Sequence, residues 1–531
     1  MDCDETFNYW EPLNLLIRGF GKQTWEYSPE FNIRSYAYLI PYFFTGKFCQ
    51  LLNLNSVQIF YFIRIINLVG FTSYCEIKMF WTLNDLNLGN IANWFLFLSS
   101  INVGMNHAGV ALLPSSLALQ TVLLANSYIL KSFKQDKESN LLKAVFWYFI
   151  GGILGWPFAL ALGLPLGIFV LIQIAYQKLN FTILFKIIGV LGLVITPIVI
   201  IDSILLQKLV FIPLNIVLYN VFGNEGEGPE IFGTEPFSYY VLNLLLNFNI
   251  VLPIAVVGIL INPFIAKLKS FNWLLSSQLL IWFIIFGSQP HKEERFIYPI
   301  YSLIILSSSI FISKFFTILK KSIKLNKFIY YLLQFGFSFT VFLVSVLRIL
   351  NLVENYSAPL KIFETVSQLP EPDNSDIINI CMGKEWYHFP TSFFLPNQYR
   401  LNFVESGFDG LLPGNFHESG SLIDSITYIP KNMNNKNKFE KDKVIDLSDC
   451  DYFIDNNQLN SIPQLILPSL TVDKNWKLIN HEKLINPDGK HNVIGKLIYI
   501  PPSLRKYIPY KVEYMEFCLL KRIKKDIDDQ V

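Results

Sequence analysis

Three short runs hold the residue types that chemistry would need. The first is DCDETFNYWEP, in which Asp2, Asp4, Glu5 and Glu11 alternate with aromatic residues. A carboxylate beside an acceptor hydroxyl is what sugar transfer requires, because a general base must take the proton as the new bond forms. Asp4 and Glu5 have the right type for that role, and the same residues also read as a solvated acidic loop. The second run is HKEERF, with His291, Lys292, Glu293, Glu294, Arg295 and Phe296 set between two apolar stretches. Ionisable groups at a membrane edge are costly unless partnered. A phosphate fits here, since Lys and Arg bind its oxygens through charge-assisted hydrogen bonds and stabilise charge on a departing phosphate. The competing reading is a short loop whose cations pair with its own glutamates. The third run is FGTEPF, with Gly233, Thr234, Glu235 and Pro236, which unaided reads as a turn ahead of the next span. Asp2, Glu235 and Glu293 join the candidates for substrate contacts. No HExxH, paired cysteines or carboxylate run offers a metal site, so no metal or other cofactor is expected.

The elements that must position these residues are membrane helices. Of 531 residues, 52% are hydrophobic and only 16% charged, whereas soluble domains carry about 25% charged residues. A net charge of +2 leaves no footprint for a nucleic-acid partner. The six cysteines lack the paired spacing of a zinc ribbon or a dense disulfide framework. Cys3, Cys381, Cys450 and Cys518 are open to either state, free or bridged.

A helix crosses the hydrocarbon core with about 20 apolar residues, and roughly ten such stretches recur in the first two-thirds of the chain. Clear ones cover residues 57–77, 108–130, 181–201, 239–261, 273–287, 296–319 and 328–353. Residues 144–176 suffice for two, broken at Gly155, Pro157 and Pro165. Arg64, Asp202 and Arg348 within spans need partners or a helix end from which to snorkel. His107 reads as a packing or hydrogen-bonding residue rather than a ligand. Lysines cluster at Lys131, Lys134, Lys137 and Lys143, at Lys267 and Lys269, and at Lys314, Lys320, Lys321, Lys324 and Lys327. With these facing the cytoplasm, residues 291–295, the 233–236 loop and everything after Asn355 fall on the opposite face. The sequon Asn355-Tyr356-Ser357 agrees with a lumenal tail. Composition turns mixed after residue 355, dividing a multi-span catalytic domain (1–355) from a lumenal α+β domain (356–531) in which Asn432 to Lys443 reads as a disordered loop.

DETFNYWEP (4–12), WEYSPEFNIRSYAY (25–38) and HKEERF (291–296) together resemble the dolichyl-phosphate-mannose-dependent α-1,2-mannosyltransferases of asparagine-linked glycosylation, endoplasmic reticulum enzymes of the GT-C glycosyltransferase fold. LPSS (113–116), GWPF (155–158), PLNIVLYNVF (213–222), GTEPF (233–237) and GKEWYHFP (383–390) extend the resemblance along essentially the whole chain. It implies a polytopic α-helical protein of the endoplasmic reticulum membrane with its active site facing the lumen. The implied reaction moves mannose from dolichyl-phosphate mannose onto a dolichyl-diphosphate-linked oligosaccharide, twice, on two arms. A β-linked donor and an α-linked product make this an inverting displacement with one base. Asp4 leads for that role, with Glu5 orienting the acceptor or sharing it, and His291, Lys292 and Arg295 would contact the donor phosphate. Relatives carry a hydrophobic helix ahead of the acidic motif, so a shortened start is expected here.

Three alternatives stand beside this reading. A sister α-1,6 or glycolipid-anchor mannosyltransferase shares the acidic pair and an HKE-x-RF-like cluster, but WEYSPE, GTEPF and GKEWY favour the α-1,2 enzyme. A transporter would show repeated halves and broken helices meeting at the midplane, and no repeat is evident. A non-catalytic scaffold would tolerate loss of Asp4 and Arg295.

Overall fold

The computed structural model describes residues 2–223, 226–265, 268–322, 326–372, 376–418, 420–456 and 475–523. Lys267 and Lys324 of the basic clusters lie outside them. Among the described residues, six helices are long and apolar enough to cross a bilayer: Ser56–Asp85, Pro157–Ala175, Ile183–Leu205, Lys269–Ser288, Glu294–Lys321 and Lys327–Tyr356. A bent pair, Ser238–Phe248 with Val251–Phe264, turns through 110° at its break and counts as a seventh if taken as one span. The protein is therefore a polytopic α-helical membrane protein. The count falls below the apolar stretches read from sequence for a physical reason. The expected span at 108–130 divides into Val103–Ala108 and Pro114–Ser132, and the longer piece is buried in protein along nearly its whole length, carrying Ser115, Gln120, Thr121 and Asn126 inward.

The break expected within 144–176 falls at Trp156, which is extended (φ −123°, ψ 114°) between a turn ending at Gly155 and one opening on Pro157. Proline supplies no backbone N–H and disfavours helix for the residue before it, so the chain must turn there. Asp202 and Arg348 are met by protein rather than by snorkelling. The Asp202 carboxylate accepts from the Ser35 hydroxyl (2.7 Å) and the Ala37 N–H (2.9 Å). The Arg348 guanidinium donates to Asn351 Oδ1 (3.0 Å) and the Lys496 carbonyl (2.9 Å).

The chain forms two compact units. One comprises Met1–Arg34, Leu39–Ile63 and Leu347–Val531, and the other Ser35–Tyr38 and Arg64–Val346. The first thus contains the acidic N-terminal run together with the tail. Its strands are β1 (Lys22–Gln23), β2 (Ile378–Met382), β3 (Tyr399–Phe403), β4 (Gly414–Asn415), β5 (Tyr452–Asn456), β6 (Trp476–Ile485) and β7 (Tyr514–Arg522). β1 pairs antiparallel with β4, and the others form one mixed sheet in the order β3-β2-β5-β7-β6. β2 runs parallel to β3 and β5, while β7 runs antiparallel to β5 and β6. This is the α+β region expected of the tail. Helix Ala358–Val366 packs on β6 and β7. A Cys381–Cys450 disulfide fastens β2 to the chain entering β5, packed with Val404, Phe453 and Leu520, and Cys518 is a buried thiol.

One expectation for this region is corrected. Asn432 to Lys443 is not a disordered loop: Asn434 Oδ1 accepts from the Lys436 and Lys438 N–H groups at 3.2 and 3.0 Å, and Asn437 Oδ1 accepts from the Leu411 N–H at 3.0 Å. Asparagine side chains that mimic backbone acceptors stabilise turns of this kind. The Asn355 sequon, in turn, is closed in the folded chain. Its side chain is fully buried and accepts from the Tyr514 hydroxyl at 2.9 Å, which leaves no room for a glycan on its amide nitrogen. The purified folded protein is therefore expected to carry no glycan at Asn355, checked by peptide mass mapping with and without glycosidase.

Candidate active site

The acidic run is helical. Asp2 caps the start, its Oδ1 accepting the Asp4 N–H at 2.8 Å, and satisfies a helix-end donor in the usual way. A short helix (Cys3–Glu5) passes into a π-helical turn (Thr6–Trp10) and then helix Glu11–Arg18, which ends at Gly19 with φ +89°, a conformation that glycine adopts without strain. Single π-helical turns inside helices often mark functional sites. The solvated-loop reading therefore fails for Glu5 and Glu11. Glu5 is 3% exposed, with its Oε1 accepting the Trp10 indole N–H at 2.9 Å. The Asp4 side chain keeps 26% exposure and faces Arg34 at 3.8 Å.

Arg34 connects the first two motifs of the sequence. Its guanidinium forks onto both Glu26 oxygens at 2.9 Å and donates to the Tyr9 hydroxyl at 3.0 Å. Burial works against its charge, but Glu26, Tyr9 and Asp4 outweigh that and raise its pKa, so the cation is permanent.

Behind Asp4 and Glu5, the run is seated on the GKEWYHFP segment and the residues after it. The Thr6 hydroxyl donates to the Pro390 carbonyl at 3.0 Å, and the Phe7 ring packs on Trp386, Phe389 and Phe403. Glu11, completely buried, accepts four hydrogen bonds: the Ser392 N–H (2.6 Å), the Ser392 hydroxyl (2.7 Å), the Thr391 hydroxyl (3.0 Å) and the Lys22 N–H (2.9 Å). Burial nonetheless leaves its pKa raised. Arg18 adds bonds to the Ser392 and Leu395 carbonyls at 2.6 and 2.8 Å. Burial also pulls the Lys22 ammonium down to about 7, against the pull of Glu11, and its Nζ lies 4.7 Å from the centre of the Phe403 ring. Sequence reasoning missed Glu11 and Arg34 as organisers of this face, although both lie inside the recognised motifs.

In the second unit the other two runs come together. The Glu235 N–H donates to the Pro290 carbonyl at 3.0 Å, the Lys292 ammonium donates to the Glu235 carbonyl at 2.9 Å and to the Gln289 carbonyl, and His291 Nδ1 lies 2.7 Å from the Gly233 carbonyl. Glu235 enters through its backbone, and its side chain is exposed. Glu293 Oε1 takes both His291 Nε2 (2.9 Å) and Arg295 Nη2 (2.6 Å). The self-pairing reading thus holds for Arg295 with Glu293. Lys292 differs: a lysine has three donors, and among the described residues only two of its own are engaged.

His291 faces an acceptor at each ring nitrogen, which only the doubly protonated ring satisfies. Burial lowers its pKa, but the bonds to Glu293 and the Gly233 carbonyl outweigh that and raise it above 6.5. Burial likewise raises Glu293, but Arg295 and His291 prevail and hold it below 4.5. Aromatic packing fixes the run in place: Trp156 of GWPF packs on Trp282, Phe286 and Phe296, and the Trp282 indole donates to the Phe296 carbonyl at 3.0 Å. His107 is exposed and makes an edge-to-face ring contact with Tyr298 at 6.1 Å.

Among the described residues the chain combines apolar spans, a buried carboxylate framework and a cationic loop, the parts of a polytopic membrane protein. The profile described as the Alg9-like mannosyltransferase family matches residues 1–396. The chain is 40% identical over 546 residues to "Alpha-1,2-mannosyltransferase ALG9" of Saccharomyces cerevisiae, covering 98% of this chain and 94% of that one. The Homo sapiens protein of the same name is 37% identical over 535 residues, covering 96% and 84%. "GPI mannosyltransferase 3" of Candida albicans is 27% identical, covering 57% and 58%. The chain belongs to the Alg9-like mannosyltransferase family.

Two outcomes follow for this site. Arg34→Lys keeps the charge but loses the fork that fixes Glu26 and Tyr9 beside Asp4, and should lower kcat by about ten-fold or more in folded protein, measured by initial rates. For His291 the folded pKa is raised, so its positive charge is complete below 6.5 and is lost as pH rises through the higher folded value. The pH dependence of activity over that window should therefore flatten in His291→Gln.

Proposed function

We propose that this protein transfers mannose from dolichyl-phosphate mannose to a dolichyl-diphosphate-linked oligosaccharide, forming α-1,2 bonds on the lumenal face of the endoplasmic reticulum membrane. The observation that carries this is the 40% identity spanning 98% of the chain with an enzyme named for α-1,2 mannosyl transfer. The glycolipid-anchor alternative is supported by much less of the chain. The charge arrangement is in keeping with a phosphate-bearing donor. His291, Lys292 and Arg295 are assigned to the donor phosphate: one Lys292 donor remains for it, and the imidazolium and guanidinium would stabilise charge as the lipid phosphate departs. Glu293, which holds both cations in position, is assigned with Asp2 and Glu235 to contacts with the substrate.

Asp4 is assigned the base. A base must reach the hydroxyl it deprotonates, and the partly exposed Asp4 side chain meets that condition better than the buried Glu5 carboxylate bound to Trp10. Displacement from the β-linked donor, with Asp4 taking the acceptor proton and dolichyl phosphate leaving, gives the α-linked product. No metal is drawn into this reading.

The test is transfer by purified protein between those two lipids, with product linkage read by an α-1,2-specific mannosidase. Wild type should give a mannosidase-sensitive product, Asp4→Asn should lose a factor of about 10² to 10⁴ in rate, and Arg295→Ala should raise donor KM. Full activity in Asp4→Asn would move the base to Glu5, and no transfer by folded wild type would reopen the transporter and scaffold readings.

A further inference from the structure

The polar group next to the proposed phosphate contacts that this chemistry leaves unused is Glu294, the first residue of the turn leading into helix Tyr301–Ser322. Its Oε1 is held by two donors from within the helical packing: the Asn247 amide at 2.8 Å and the Tyr301 hydroxyl at 3.4 Å, with Asn247 also donating to Tyr301 at 3.2 Å. Both holders are fixed. Tyr301 is fully buried, and its ring is edge-on to Phe248 at 4.7 Å. Asn247 is 7% exposed and packs so tightly on helix Val103–Ala108 that a Cβ at Gly104 would come within 3.0 Å of its Cβ. The other Glu294 oxygen has no hydrogen-bond partner among the described residues, and the residue as a whole keeps contact with solvent.

An ionisable side chain at the start of a span, oriented by two neutral donors and left open on one oxygen, has the layout of a hydrogen-bond acceptor awaiting a ligand. The charge decides which part of the donor it would meet. A carboxylate repels phosphate but accepts strongly from hydroxyls. In a glycosyl phosphate the hydroxyl-bearing ring is bonded directly to the phosphate that its neighbours His291, Lys292 and Arg295 are assigned to hold.

We propose that Glu294, steadied by Asn247 and Tyr301, receives a hydroxyl of the donor's sugar and so helps determine which glycosyl phosphate the enzyme accepts. This rests on the donor assignment above. The test compares wild type with Glu294→Gln on dolichyl-phosphate mannose and on donors lacking the 2-, 3-, 4- or 6-hydroxyl in turn. Glu294→Gln should lower kcat/KM for the parent donor by about ten- to a hundred-fold, the range for losing a charged hydrogen bond. One deoxy donor should be equally poor with wild type, and for that donor the two enzymes should be nearly alike. The same loss in Glu294→Gln for every donor would show a structural role and overturn the proposal. If that variant does not fold, Tyr301→Phe decides: it keeps the carboxylate but loosens it, and should narrow the penalty for the same deoxy donor, whereas an unchanged penalty overturns the idea. Wild type inert toward the parent and every deoxy donor would instead overturn the donor assignment, and this proposal with it.

Discussion

A carboxylate withdrawn from water must recover its hydrogen bonds within the protein, and the polar architecture of this chain is organised around that requirement. Glu11 recovers four from Thr391, Ser392 and Lys22. Asp202, in the last turn of helix Ile183–Leu205, recovers two from Ser35 and Ala37. Glu293 is met by an imidazole and a guanidinium. The Glu11 and Asp202 partners come from outside the carboxylate's own helix, so satisfying the charge there also fixes the path of a second segment that hydrophobic packing alone would leave free to slide. Apolar burial fills the interior, while these directional bonds choose the register.

The same requirement separates three of the four acidic groups at the N-terminus by role. Glu11 and Glu5 lie where water does not reach and act as struts, whereas Asp4 stays at a boundary, opposite a guanidinium whose other bonds are already committed to Glu26 and Tyr9. In the second unit, the GTEPF and HKEERF runs behave as one element because Lys292 and His291 bind backbone carbonyls across the gap. A change of side chain at Glu235 would leave that latch in place, while a change in the backbone course at Gly233 would not.

Much of this was legible in the sequence, for reasons that differ by element. Apolar runs of spanning length and the proline that breaks the chain after Trp156 are local signals: the break was read correctly, while roughly ten runs were counted where six or seven spans form among the described residues. The conjunction of DETFNYWEP, WEYSPEF and HKEERF carried the family. What could not be read were pairings between distant residues. Nothing local to Glu11 indicates that its partners stand 380 and 381 positions away. The inward polar residues of Pro114–Ser132 were counted as part of a lipid-facing span because periodicity does not distinguish a helix wrapped in protein from one wrapped in lipid. Glu293 and Glu294 are neighbours of identical type, and only their partners separate an organiser of cations from a carboxylate with an open oxygen.

The burial of Asn355 introduces a question of timing. The hydroxyl that covers it belongs to Tyr514, 159 residues further along the chain, and at a synthesis rate of about 5–20 residues per second the cover arrives roughly 8 to 30 seconds after the asparagine is made. During that interval the sequon has no such shield. The Asn355 side chain therefore reaches its final surroundings only once the last strand has been made, so this corner of the fold closes late in the order of synthesis and cannot help to hold the segments completed before it.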